Sequence, residues 1–240
     1  WLVSGFGSFR RFMGGSDHEL TYDRSKVGRV ASLFKESVAL DRSIKFLPDL
    51  YARSQDKNLK EEDRQAAVEE CKQVGDILND LLPAAIRFAR VDTQQVFFNA
   101  LGIADVALLD LSDGYRSFLA LVLELLRQIS EVFGSVRLVS AQDGPHSQWC
   151  VNIESVVLID EADLRLHPSW QREFGPKLRK VFPRVQFIVT SHSPFMAQEA
   201  SPNGLFVLRP AVEGSGVSCH KPLPRVDGWN TDEILQSPLF

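Results

Sequence analysis

The chain has 240 residues, 44% of them hydrophobic and 24% charged, with a formal net charge of -4. That composition is ordinary for a globular protein, enough for one substantial core or two smaller ones, and it carries no strong basic field to advertise nucleic-acid binding. Cys71, Cys150 and Cys219 are too widely spaced for a zinc motif or a disulfide framework, so a reducing cytoplasm is the expected setting; no apolar run reaches the roughly 18 residues of a membrane helix, so no membrane partner is expected.

In chain order, Leu2, Val3 and Phe6 mark a short apolar strand that runs into a loop bearing Gly5, Gly7, Gly14 and Gly15 with Arg10 and Arg11. From about Asp23 to Arg90 the pattern predicts mainly helix. Val68, Cys71, Val74, Ile77, Leu78, Leu81 and Leu82 recur at three- and four-residue spacing, and Pro83 ends or interrupts the run. Two short strands are expected at Gln95 to Phe98 and Val106 to Leu111, separated by a turn at Leu101-Gly102. Beyond Leu111 the reading is alternating α and β. Ser112-Asp113-Gly114 starts a helix that carries Leu119, Val122, Leu126 and Ile129 and reaches about Phe133. A polar loop from Ala141 to Gln148 precedes a strand at Val156 to Ile159. Pro168 suits the first turn of a helix with Trp170, Phe174, Leu178 and Val181 on its buried face. A strand at Val185 to Val189 and a third at Leu205 to Leu208 complete the pattern. Strand, helix, strand with continuous apolar strands predicts a parallel sheet covered on both faces.

Three clusters carry candidate chemistry. Val156-Val157-Leu158-Ile159-Asp160-Glu161 places two carboxylates at the carboxyl end of a buried strand, where open α/β sheets bind ligands. Such a pair suits ATP hydrolysis, one acid on Mg²⁺ and the other orienting water, although buried strands also end in acids for no reason beyond the sheet edge. Leu111-Ser112-Asp113-Gly114-Tyr115-Arg116-Ser117 opens a helix; it reads either as an anion site built on backbone N–H groups or as a plain helix cap. His192, in Thr190-Ser191-His192-Ser193-Pro194, leaves the next strand and is either structural or a contact for a terminal phosphate.

In order and approximate spacing these clusters resemble the signature, Walker B and switch-histidine elements of ABC-type ATPases. Asp160-Glu161-Ala162-Asp163-Leu164-Arg165-Leu166-His167-Pro168-Ser169-Trp170-Gln171 is similar to the soluble branch related to SMC proteins and to the overcoming-lysogenization-defect family, common in bacterial phage-defence operons. The resemblance covers Leu111 to about Leu208, continues through Phe182-Pro183 and Val185 to Pro194, and touches the tail Gly228 to Leu235. It implies an α/β, P-loop NTPase-like domain over residues 1–240, with a mostly parallel sheet, flanking helices, a helical insert over 23–92 and the motif-bearing core over 105–210. It implies ATP and Mg²⁺ as cofactors, Asp160 as the metal-associated acid, Glu161 as base or water-positioner and His192 as γ-phosphate contact. Ser112 and Gly114 would reach the ATP of a second copy in a head-to-tail homodimer, with Asp163 to His167 coupling the two sites; Arg165 stands where histidine is frequent in the group. The helical insert corresponds to a short version of coiled-coil arms or to a lid. DNA is an expected partner of the whole protein.

No Gly-x-x-x-x-Gly-Lys-[Ser/Thr] occurs in the chain, which starts at Trp1 rather than Met, so the expectation is an N-terminally truncated domain that by itself is inactive. Two other readings stand beside the ATPase. One is a degenerate scaffold or regulatory subunit; the other is a DEAD-box-type helicase fragment, which Asp160-Glu161-Ala162-Asp163 spells, although those enzymes do not place Leu-Ser-x-Gly-x-x-Ser before the acids.

Overall fold

Leu2–Phe6 forms the first strand, β1, as its apolar run predicts. The structure, a computed structural model, describes residues 1–10, 12, 27–36, 38–141, 148–201, 203–211, 216–221 and 228–237. Arg11, Gly14, Gly15, Asp23 and the loop residues 142–147 lie outside them. A 3-10 helix, Gly28–Leu33, packs directly on β1: a Cβ on Gly7 would stand 2.0 Å from the Ser32 carbonyl oxygen. Only glycine permits that approach.

Helices α1 (Asp41–Gln55) and α2 (Glu61–Leu81) follow. Val74, Ile77, Leu78 and Leu81 of the α2 stripe are buried, whereas Val68 nearer its start is exposed. Leu82, the residue before Pro83, is extended (φ -74°, ψ 154°), which is what the proline ring demands of its predecessor.

The helical expectation fails at its far end. Ile86–Val91 is a strand, β2, paired antiparallel with β3 (Val96–Ala100), which pairs in turn with β4 (Ile103–Ala107). Leu101 and Gly102 form the hairpin turn at φ 52° and 84°, the left-handed pair that two-residue hairpins require. The second strand therefore lies earlier than the expected Val106 to Leu111, and Leu108–Asp110 closes into a 3-10 turn.

Helix α3 spans Asp113–Phe133, and its residues from Ser117 to Ile129 are all buried, so it is the central helix of the core. A hairpin that periodicity did not reveal comes next, β5 (Leu138–Ala141) with β6 (Gln148–Val151). Then follow β7 (Ser155–Ile159), α4 (Pro168–Val181) and β8 (Val185–Val189) as expected. A short α5 (Pro194–Gln198) leads to β9 (Val207–Pro210), β10 (Val217–His220) and α6 (Thr231–Leu235). The third strand is thus two residues later than Leu205 to Leu208. It pairs antiparallel with β10 and not with the parallel sheet. No helix among the described residues is long and apolar enough to cross a membrane.

The α/β class holds. The parallel sheet has the order β1-β7-β8. One face, with Leu2, Phe6, Val157 and Ile159, is buried. On the other, Val3 is 45% and Ile188 50% exposed, so the expectation of cover on both faces is corrected among the described residues. A buried polar chain ties α3 to this sheet. Ser4 Oγ donates to Gln128 Oε1 (2.7 Å), Gln128 Nε2 donates to Glu124 Oε1 (2.8 Å), and the Arg127 guanidinium forks onto both Glu124 oxygens at 2.7 and 2.6 Å. A buried pair of this kind adds little net stability, but removing one partner costs about 3–5 kcal/mol, so it sets the seating of α3 on β1.

Candidate active site

All three parallel strands end flush. The register pairs Phe6 with Ile159 and Ile159 with Val189, so the chain leaves the sheet at one edge three times, as Gly7, Asp160 and Thr190. That edge is the carboxyl end, where open α/β sheets hold ligands. The backbone stitches the exits together: Asp160 N donates to Phe6 O (2.8 Å), Thr190 N to Ile159 O (3.0 Å) and Ala162 N to Thr190 O (2.9 Å).

Thr190 joins the two acids. Its hydroxyl donates to Asp160 Oδ1 at 2.6 Å and accepts from Glu161 N at 2.8 Å. Glu161 stands in the left-handed region at φ 45°, and Arg165 does so at φ 66°. For non-glycine residues that conformation costs of order 1 kcal/mol or more and persists only where neighbours hold it. The loop between them is closed by Leu164 N on Glu161 O and Leu166 N on Asp163 O, both 3.0 Å.

His192 lies on the adjoining turn. Its backbone N donates to Asp163 Oδ1 (3.3 Å), and its ring is exposed. Gln171, on α4, straps the two turns together: Nε2 donates to Asp163 O (3.2 Å) and Leu166 O (2.9 Å), and Oε1 accepts from Ser193 Oγ (2.5 Å). Ser193 in turn caps α5. Asp160, Glu161, Asp163 and His192 therefore share one edge.

Ser112 and Gly114 sit beside this loop and do not touch the acids by any hydrogen bond. Ser112 is the exposed N-cap of α3, yet its side chain makes no capping bond. Gly114 packs on the loop itself: a Cβ there would lie 2.4 Å from the Arg165 carbonyl oxygen. Phe118 and Tyr115 on α3 stack against Trp170 on α4, with ring centroids 4.6 and 5.2 Å away, so both helix starts are held to the same loop. Between them, Arg116 bonds Asp113 and holds its carboxyl below the usual range.

The donor set suits a hard cation. Asp160 offers a half-buried carboxylate with one oxygen oriented by Thr190, and oxygen ligands are what Mg²⁺ takes. Among the described residues no three His, Cys, Asp or Glu form a cage by themselves. A cavity of about 240 Å³ lies elsewhere, between α1 and α3, lined by Arg42, Lys45, Asp49, Arg53, Arg127 and Glu131 among others. Asp160, Glu161 and Asp163 do not line it.

Residues 7–196 match a family described as an AAA domain, a description that also names the AbiEii toxin and the Type IV TA system. The chain belongs to that family. Every residue placed at the edge above falls within the matched span, and membership makes this AAA-domain chain part of a nucleotide-binding ATPase family. It is 30% identical to "Septu protein PtuA" of Bacillus thuringiensis over 165 residues, 66% of this chain and 39% of that protein. It is 35% identical to "Retron Ec83 probable ATPase" of Escherichia coli over 104 residues, 43% of this chain and 17% of that protein. The AAA-domain chain thus spans at most 39% of the length of these two relatives. A structure described under ATP-driven dimerization and DNA-stimulated activation of SMC ATPases is also similar, with 14% identity and a TM-score of 0.43, over 68% of this chain and 87% of that one.

Sequence reasoning missed the roles of Thr190, Gln171 and Arg10. Thr190 was visible as the first residue after a strand, and its bond to Asp160 follows from the flush register. Gln171 stands in the run that carries the family resemblance, but nothing in that run announces its bond across to Ser193. Arg10 looked like a loop cation, but it is buried and donates to the carbonyls of Asp160 (2.6 Å) and Glu161 (2.9 Å).

Proposed function

We propose that these residues are the hydrolytic part of an ATPase that dimerises head to tail around ATP. One observation carries the reading: Asp160 and Glu161 are joined through Thr190 at the carboxyl edge of the parallel sheet, with Asp163 and His192 on the next turn. Phosphoryl transfer asks a protein mainly to position groups and to stabilise charge, and each of these groups has such a task. Glu161 orients and polarises the attacking water and receives its proton. His192, with its ring outward, contacts the terminal phosphate. Asp160 would hold Mg²⁺, which would neutralise phosphate charge. Ser112, whose hydroxyl is not spent on its own helix, and the backbone N–H groups at the start of α3 meet the nucleotide of the second copy.

The usual grip on the β and γ phosphates, Gly-x-x-x-x-Gly-Lys-[Ser/Thr], does not occur in these 240 residues. The process driven is DNA-related or phage defence, in the cytoplasm, as the resemblance to the SMC- and overcoming-lysogenization-defect-related ATPases implies. The same similarity and the AAA-domain match favour this reading over a helicase. Glu161→Gln in the full-length protein tests it. Turnover falls by about 10²–10⁴-fold, the usual worth of a general base, while ATP still supports dimers in light scattering. If the wild-type protein has no turnover to lose, the non-enzymatic scaffold reading replaces this one.

A further inference from the structure

Arg10 is an arginine without an ion pair among the described residues. Only 4% exposed, it lies near three carboxylates, those of Asp160, Glu161 and Asp163, yet its donors go to main-chain oxygens. Nη1 donates to Gly7 O (3.2 Å) and to Asp160 O (2.6 Å), and Nη2 donates to Glu161 O (2.9 Å). A guanidinium fork fits two consecutive carbonyls as it fits a carboxylate, with both donors in fixed geometry. The two carbonyls flank the φ of 45° at Glu161, the strained point of the loop.

We propose that Arg10 is the positioning residue of the acidic loop: it locks the Asp160–Glu161 backbone in its left-handed turn and lends its charge to the three acids without occupying any of them. The proposal rests on the ATPase reading for its catalytic consequence but not for its structural one. Free carboxylate oxygens are what a metal ion and an attacking water need, and an ordinary Arg–carboxylate pair would consume them. The anchor is firm from behind as well. The Gly7 carbonyl that Arg10 grips belongs to the residue clamped under Ser32.

The test compares Arg10→Lys and Arg10→Gln in the full-length protein by two readouts. The first is hydrogen exchange at Ala162 and Leu164, whose amides close the loop on Thr190 O and Glu161 O. Both variants are expected to speed exchange there about tenfold or more, with α3 amides unchanged, because local opening is set by local bonds. The second is a split between kcat and KM. Lysine keeps the charge but cannot fork, so kcat falls about 10- to 100-fold with KM for ATP within about twofold. A merely structural arginine would lower the melting temperature and leave kcat per folded molecule alone. If Arg10→Gln does not fold, Arg10→Lys carries both comparisons. Wild-type exchange at Ala162 and Leu164 in the folded variants overturns the proposal. Failure of Glu161→Gln to lower turnover overturns the ATPase reading instead and leaves the exchange result to decide Arg10.

Discussion

The Thr190 hydroxyl bridges Asp160 and Glu161, giving its proton to the carboxylate of one (2.6 Å) and taking the backbone N–H of the other (2.8 Å). It does so because β7 and β8 are in register to their last residues, Ile159 and Val189, which leaves residues 160 and 190 side by side. The bridge orients a carboxylate oxygen and helps hold a strained backbone at once.

Thr190→Val keeps the shape and removes the bridge. Thr190 is exposed, so the stability loss stays at about 1 kcal/mol or less, the net worth of a hydrogen bond water can replace. Turnover of the full-length protein falls about 10-fold or more, since the groups it orients are those proposed to act in the transition state. Thr190→Ser restores most of it. Steady-state hydrolysis beside thermal melts checks both; equal turnover in the valine and serine variants would remove the bridge from the mechanism.

Gly114→Ala and Ser112→Ala make an opposed pair. The new methyl at residue 114 meets the Arg165 carbonyl at 2.4 Å and forces the start of α3 away from the acidic loop, at a cost of about 1–3 kcal/mol. Loss of an N-cap serine ordinarily costs about 1 kcal/mol, but this one makes no capping bond, so Ser112→Ala stays within about 0.5 kcal/mol. Its effect falls on ATP-supported dimerisation. Denaturant titration ranks the stabilities, and light scattering with ATP reads the dimer.

The cysteines provide a pH test. Burial pushes the Cys71 thiol up to about 11, with Glu70 adding to the shift, and burial also raises Cys150, while Cys219 is exposed. Only thiolate reacts, so an alkylating reagent at pH 8 modifies Cys219 first and Cys71 last. Unfolding frees the Cys71 thiol to ionise at its ordinary value near 9. Its contribution to stability is therefore full below that pH and is lost as pH rises towards 11. Peptide mass mapping over a labelling time course checks the order, and Cys71 modified first would contradict it.

These 240 residues by themselves are expected to hydrolyse ATP negligibly and to bind it weakly. The acidic loop supplies carboxylates and a histidine, but no lysine and no backbone cradle for the β and γ phosphates. Calorimetry with Mg-ATP checks this, and micromolar affinity would contradict it.

Much of this protein was legible in one dimension. Helices α3 and α4 and strands β7 and β8 announced themselves because burial on one face imposes a period on residues close in sequence. Trp170, Phe174, Leu178 and Val181 are all buried, as their spacing predicts. Asp160-Glu161 and His192 were visible for the same local reason, since each closely follows an apolar strand. Weak local patterns misled: Ile86–Val91 continued a helical run on paper, and the β5–β6 hairpin showed no clear alternation. Strand existence depends on a partner that periodicity does not name.

Tertiary structure alone decided what else meets at that edge. Nothing near Arg10 in the sequence says that its guanidinium reaches carbonyls 150 and 151 residues away, or that Gly114 must be bare because Arg165 O lies against it. Residue type and spacing are local quantities set by the chain itself, whereas register, burial of a charge and a forbidden methyl exist only once distant segments occupy the same space.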